Sequence, residues 1–223
     1  MPTTDETTTH LRTKMVRTQI KDRGIKDEAI LHAMQLVPRH LFVPNRYQHR
    51  AYNDGPLPIL AGQTISQPYV VALMILQLQL SPTDRVLEIG TGSGYAAAIL
   101  SHIARQVYTI ERHHQLVEYA QERLQQLGYT NVHIRHGDGT QGWPEFAPYD
   151  AIIVAAGGPE VPPSLRNQLA VGGRLVMPVG GKKQRQRLVR VTRISLEQFD
   201  TERLTPVAFV PLIGAEGWEE ADS

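Results

Sequence analysis

From Arg85 onward the apolar positions fall into two alternating textures. RVLEIG (85–90), QVYTIE (106–111), NVHIRHGDG (131–139), YDAIIVAA (149–156) and GGRLVMPVG (172–180) have the length and β-branched content of buried strands. Between them, residues 91–104, 113–128 and 162–170 place apolar side chains every three or four positions, which predicts helices. Gly128 stands where a helix would end on a left-handed residue. Strands alternating with helices imply βαβ units, and so a parallel sheet joined by right-handed crossovers. The end of the chain breaks that rhythm. QRLVRVTRIS (186–195) and TPVAFVPLIG (205–214) have no helical segment between them and read as a closing pair of strands, antiparallel at one edge.

The first 80 residues have a different pattern. Residues 11–20 and 26–35 carry helical spacing on either side of a break at Gly24. VPRHLFVP (37–44) and AYNDGPLPILAGQTISQP (51–68) are dense in Pro and Gly and predict an ordered loop region. YVVALMILQLQL (69–80) follows as a buried helix with Pro68 in its N-terminal turn. The expected fold is α/β, with a mostly parallel central sheet, helices on both faces and an antiparallel edge strand. Residues 1–80 form a helical and loop extension of the same domain, and residues 81–223 its core.

Composition narrows the function classes. A net charge of +1 over 223 residues gives no field that would select nucleic acid or a membrane surface. The absence of cysteine excludes disulfides, thiolate catalysis and cysteine-held metals. The histidines have no metal-ligand spacing: His113 and His114 are adjacent, while His133 and His136 would face opposite sides of a strand. No metal site is expected. The opening MPTTDETTTH lacks the apolar stretch of a signal peptide and reads as a frayed tail. No apolar run reaches the roughly 20 residues of a spanning helix. A soluble, cytoplasmic monomer is expected. The basic stretch GGKKQRQR (180–187) is short and has no aromatics, so it reads as a solvated hairpin or loop.

VLEIGTGSGY (86–95) carries the chemistry. A strand ends at Gly90, and Gly90, Thr91, Gly92 and Gly94 form a turn that lets backbone approach a ligand at the carboxyl end of the sheet. A dinucleotide fingerprint would need glycine or alanine where Tyr95 stands. Glu88 inside the motif is also unsuited to a pyrophosphate. It suits a cationic ligand such as S-adenosylmethionine, which carries a sulfonium and an ammonium. Glu111 ends the next strand about 20 residues beyond Gly90, the place from which a carboxylate reaches ribose hydroxyls. In the next strand's HGDG, Asp138 is placed to accept from an adenine amino group, with Gly139 beside it.

Together with AYNDGPLPI, GQTISQPYVVA, GDGTQGWPEFAPYDAIIVAA, GGRLVMPVG and FVPL, this stretch resembles the protein-L-isoaspartate O-methyltransferases, and the resemblance covers nearly the whole chain. The nucleotide motifs alone would indicate only a class I methyltransferase with its Rossmann-like fold. GQTISQPY (62–69) is the more specific run. A departure is Leu60–Ala61, where many bacterial members have a more glycine-rich approach. The resemblance implies methyl transfer from S-adenosylmethionine, leaving S-adenosylhomocysteine, to the α-carboxylate of L-isoaspartyl residues in damaged proteins. The ester then closes to a succinimide that partly reopens as normal aspartate. The resemblance places the catalytic role on Ser66, with Gln63, Thr64 and Ile65 beside cofactor and substrate.

A carboxylate with a reference pKa near 4 is already ionised at neutral pH, so no general base is needed. Hydroxyls, amides and backbone N–H groups suffice to orient it, and QTIS supplies them. Ser66 and Thr64 have an alternative use as caps of the following helix. Tyr69 is placed at the same pocket, with a plain core aromatic as the alternative. No G-x-S-x-G elbow surrounds Ser66, which argues against a hydrolase triad. Two other readings stay open: a class I methyltransferase acting on a small molecule or RNA, and a module that binds isomerised peptides without turnover.

Overall fold

The computed structural model describes residues 4–182 and 185–220. The extension begins with α1 (Thr4–Met15), so residues 4–10, expected to be a frayed tail, are helical. The helix widens into a π turn over Val16–Ile20 that buries Val16 and Ile20. Gly24 then breaks it with φ of 99°. α2 (Glu28–Leu36) starts on Asp27, whose carboxylate accepts the Ile30 N–H at 3.0 Å and so satisfies one of the orphan donors of the first turn. The Pro-rich region that follows is ordered as two 3-10 turns, Arg39–Phe42 and Asn45–Arg50. It ends in a two-stranded antiparallel ladder, β1 (Leu57–Pro58) with β2 (Thr64–Ile65). α3 (Pro68–Leu78) has Pro68 in its first turn and ends on Gln79 in the left-handed region.

The core sheet contains β3 (Arg85–Ile89), β4 (Gln106–Glu111), β5 (Val132–His136), β6 (Tyr149–Val154), β7 (Leu169–Val179), β8 (Gln186–Arg193) and β9 (Phe199–Val207). Its order is β5-β4-β3-β6-β7-β8-β9. β5 through β7 run parallel, while β8 is antiparallel to both β7 and β9. The order reverses between β3 and β6. At such a switch point the loops leaving the two strands diverge and open a crevice.

Alternation along the strands divides the core. Val86, Val107, Ala151, Ile153, Val176 and Leu188 face the extension, α4 (Tyr95–Ser101) and α5 (His114–Gln126). Leu87, Ile89, Ile110, Ile152, Val154, Leu175 and Met177 face the other side, where α6 (Pro163–Asn167) contributes Leu165. Each fully buried aliphatic side chain contributes about 1.5–3 kcal/mol, so the extension is integral to one face of the core rather than an appendage.

Two predicted boundaries are corrected. α6 is one short turn, and β7 already begins at Leu169 rather than at Gly172. Pairing with β6 shifts register between Tyr149 and Ala151, which accommodates that early start. The last strand is Phe199–Val207, not residues 205–214. Residues 208–214 look strand-like because they are apolar, but Pro211 removes a ladder donor. The segment instead crosses the top of the sheet, with Gly157 N–H donating to Val210 O at 2.8 Å and Leu212 N–H to Gly157 O at 2.9 Å. Of the basic stretch 180–187, residues 183–184 lie outside the described residues, and Gln186 and Arg187 begin β8.

Candidate active site

A cavity opens at the carboxyl ends of β3, β4 and β6, where the strand order predicts it. Its floor is the glycine turn after β3. Gly92 has φ of 55°, which frees its N–H to donate to Glu111 Oε2 at 2.9 Å. Glu111 Oε1 accepts the His113 N–H at 3.0 Å, so the carboxylate fixes both loops while one edge faces the cavity. Gly139 also lines the wall. A side chain there would run into Ile89, so only glycine leaves the space.

Glu88 is 1% exposed on the cavity wall. Thr91 and Thr109 hydroxyls lie 2.6 Å apart, and Thr109 donates to Glu88 Oε2 at 2.6 Å. Burial pushes the Glu88 carboxyl up to about 8; the Thr109 bond opposes this, and the neighbouring Glu111 charge adds to it. A carboxyl under that desolvation is a receptor for a cation, whose arrival would restore its charge.

Another wall is β2 with the residues that flank it. Gln63, Thr64, Ile65 and Ser66 line the same cavity as Glu88, Gly90, Thr91, Gly92, Glu111 and Gly139. The helix-cap use of the hydroxyls does not occur: the N-cap of α3 is Gln67, and no side chain caps it. Among the described residues the Ser66 hydroxyl has no protein partner. The approach to this loop is strained, since Ala61 takes φ of 53°, a conformation that costs a non-glycine residue about 1 kcal/mol or more.

Three expected site residues stand elsewhere. Gly94, with φ of 87°, serves packing, because a side chain there would press on Leu124 of α5 at 3.3 Å. Tyr69 lies off the cavity wall and packs beneath Arg23, whose guanidinium carbon is 3.6 Å from the ring centroid. The Asp138 carboxylate, expected to face adenine, accepts from Thr140 N at 2.9 Å, Thr140 Oγ1 at 2.7 Å and Ala215 N at 2.8 Å. It therefore ties the C-terminal segment to the β5 turn.

That segment is the part of the site that sequence reasoning missed. Val210, Pro211, Leu212 and Ile213 close the cavity, held by the Trp218 Nε1–H bond to Gly157 O at 3.0 Å and the Asp138 tie. The signal available was an apolar run interrupted by Pro211, which suits a covering strap better than a ladder. Arg39 was missed too. It is fully buried and donates from Nε to Ala51 O at 2.8 Å and from Nη2 to Ser66 O at 2.9 Å. Tyr95, read as a bar to dinucleotides, lines the cavity with its ring buried edge-on against Phe42 at 5.8 Å.

A mostly parallel sheet with a glycine turn, an acidic residue buried beneath it and a second at the next strand end defines a Rossmann-like class I methyltransferase. The family model for protein-L-isoaspartate(D-aspartate) O-methyltransferase matches residues 10–217. The chain belongs to that family. It is 57% identical to protein-L-isoaspartate O-methyltransferase 1 of Rhodopseudomonas palustris (strain HaA2) over 97% of its own length and 89% of the relative's. It is 57% identical to the enzyme of the same name from Geotalea uraniireducens (strain Rf4), covering 92% of this chain and 93% of that one. Among solved structures, a putative protein-L-isoaspartate O-methyltransferase from Plasmodium falciparum in complex with S-adenosyl-L-homocysteine superposes with a TM-score of 0.80 at 28% identity, covering 91% of this chain and 98% of that one.

Proposed function

We propose that this enzyme methylates the α-carboxylate of L-isoaspartyl residues in damaged proteins, with Ser66 orienting the acceptor. The observation that carries the reading is the Ser66 hydroxyl, without a partner among the described residues, on the wall of the cavity that also holds Glu88 and Glu111. The residues fit S-adenosylmethionine: a buried acid for its ammonium at Glu88, an acceptor pair for ribose at Glu111, and a side-chain-free wall at Gly139 for the flat base. When bound, the cofactor supplies an electrophilic methyl group and leaves as S-adenosylhomocysteine.

The chain's own task is orientation. The Ser66 hydroxyl donates to one carboxylate oxygen, and the backbone of residues 63–65 holds the substrate main chain. Positioning of this kind can account for roughly 7–11 kcal/mol of a barrier. The apolar strap Val210–Ile213 excludes water from the acceptor. Isoaspartyl-bearing proteins are the partners, nucleic acid is not one, and the enzyme works as a cytoplasmic monomer. Among the described residues no helix is long and apolar enough to cross a membrane.

Ser66→Ala tests the assignment. Turnover on an isoaspartyl peptide should fall on the order of 10²-fold, while calorimetric affinity for S-adenosylhomocysteine changes less than about threefold. Wild-type turnover in the variant removes Ser66 from the mechanism.

A further inference from the structure

The acceptor loop and the cofactor loop come from different parts of the chain, and methyl transfer requires a fixed spacing between them. Ser66 follows β2, whereas Tyr95 opens α4 directly after the glycine turn. Between them lies Arg39, with none of its surface exposed. Its Nη2–H holds the Ser66 carbonyl at 2.9 Å, its Nε–H holds the Ala51 carbonyl at 2.8 Å, and its guanidinium carbon lies 4.8 Å from the Tyr95 ring centroid. No aspartate or glutamate is among these partners. The Arg39 Nη1 and the Tyr95 hydroxyl are both buried without a hydrogen-bond partner.

A buried guanidinium without a counter-anion is costly before its hydrogen bonds are counted. Apolar side chains would fill the same space more cheaply. Arginine has a property they lack: a rigid planar fork that aims two N–H groups at fixed points while offering a face to an aromatic ring. Burial pulls the Arg39 pKa down, with Tyr95 opposing, and burial raises the Tyr95 phenol to about 12. The phenol is therefore neutral and cannot serve as the missing anion. The geometry instead suits a gauge.

Resting on the reading of Ser66 above, we propose that Arg39 is a positioning residue for methyl transfer: it sets the acceptor loop at a fixed distance from the cofactor loop by clamping the Ser66 carbonyl against the Tyr95 ring.

The fork-breaking variant Arg39→Lys tests this. Lysine keeps the charge and most of the stem but cannot hold both carbonyls in one plane. Expected are a kcat on isoaspartyl peptide lowered between ten- and a hundredfold, a peptide KM and an S-adenosylhomocysteine Kd each within about threefold of wild type, and faster backbone hydrogen exchange in residues 63–67. Met34→Ala is the control for mere loosening of the extension core, since Met34 is fully buried in α2. It should lower thermal stability with kcat and exchange at 63–67 kept. In the double variant with Ser66→Ala the two losses should not multiply, because both act through one hydroxyl.

Wild-type kcat in Arg39→Lys overturns the proposal and leaves the Ser66 reading standing. Loss of kcat in step with thermal stability in both Arg39→Lys and Met34→Ala overturns it in favour of a structural role. Losses that multiply in the double variant show that Arg39 acts elsewhere. A full-rate Ser66→Ala beside a crippled Arg39→Lys sinks both the Ser66 reading and this pairing.

Discussion

Glu88 links cofactor binding to pH, and the structure gives the size of the link. Its carboxyl is buried on the cavity wall and pushed up to about 8, against an ordinary value of 4.5, chiefly by burial. At pH 7 the free enzyme therefore carries Glu88 about 90% protonated, and at pH 6 about 99%. If the ammonium of the ligand binds the ionised form, each unit of pH below 8 costs about 1.4 kcal/mol, or tenfold in affinity. Calorimetry with S-adenosylhomocysteine at pH 6, 7 and 8 should show the dissociation constant falling roughly tenfold between pH 6 and 7, and about fivefold more by pH 8. At pH 7, titrations in buffers of different ionisation enthalpy should report close to one proton released. Glu88→Gln should flatten the profile and weaken binding at pH 8. The variant assigns the proton, because His113 lines the same cavity.

The sign for stability is opposite. A carboxyl raised above its unfolded value contributes stability that is present below pH 4.5 and lost as pH rises through about 8. The free Glu88→Gln enzyme should thus gain melting temperature relative to wild type as pH increases. A flat affinity profile in wild type, or unchanged affinity in Glu88→Gln at pH 8, would refute the placement of the ammonium at Glu88.

Glu111→Ala removes charge-assisted bonds worth roughly 1.5–3 kcal/mol each, so S-adenosylhomocysteine affinity should drop at least about tenfold with the fold intact by circular dichroism. Unchanged affinity would take Glu111 out of the site. Asp138→Asn replaces an acceptor facing the Ala215 N–H with an amide that cannot match all three donors. Hydrogen exchange over residues 210–218 should speed up on the order of tenfold or more; protection equal to wild type would mean that the strap is held without this tie.

How much of this was legible in the sequence depended on whether the determinant was local. β3 through β6 could be read because each is a short apolar run between turn signals, and the glycine turn because its spacing is itself the feature. Glu88 and Glu111 followed from strand ends alone. Residues 208–214 failed because hydrophobicity reports burial, not the partner. Only Leu212 of the segment is buried, and its residues cover a cavity and the turn at Gly157 instead of joining a ladder. Asp138 was placed at the correct strand end, but its donors come from Thr140 and the distant Ala215. Arg39 was invisible for the same reason: its two carbonyls belong to Ala51 and Ser66, and no periodicity marks a side chain that bridges loops. The N-terminal residues looked like a tail because Thr and Asp are weak helix formers, yet they extend a helix already anchored by Met15 and Val16.

The central claim is that the acceptor is the carboxylate carried directly on Cα. An isoaspartyl residue routes the main chain through its side-chain carbonyl and leaves that group free, whereas a normal aspartyl residue holds its carboxylate one methylene further out. With the substrate backbone and Ser66 both fixed, the normal residue misplaces its oxygen by about 1 Å or more, which can cost on the order of 10² in rate. The direct measurement is transfer of a labelled methyl group from S-adenosylmethionine to two peptides identical except for one isoaspartyl or aspartyl residue, at saturating cofactor. Label should enter the isoaspartyl peptide at least about 10²-fold faster. Equal labelling of both peptides, or label in neither, would contradict the account.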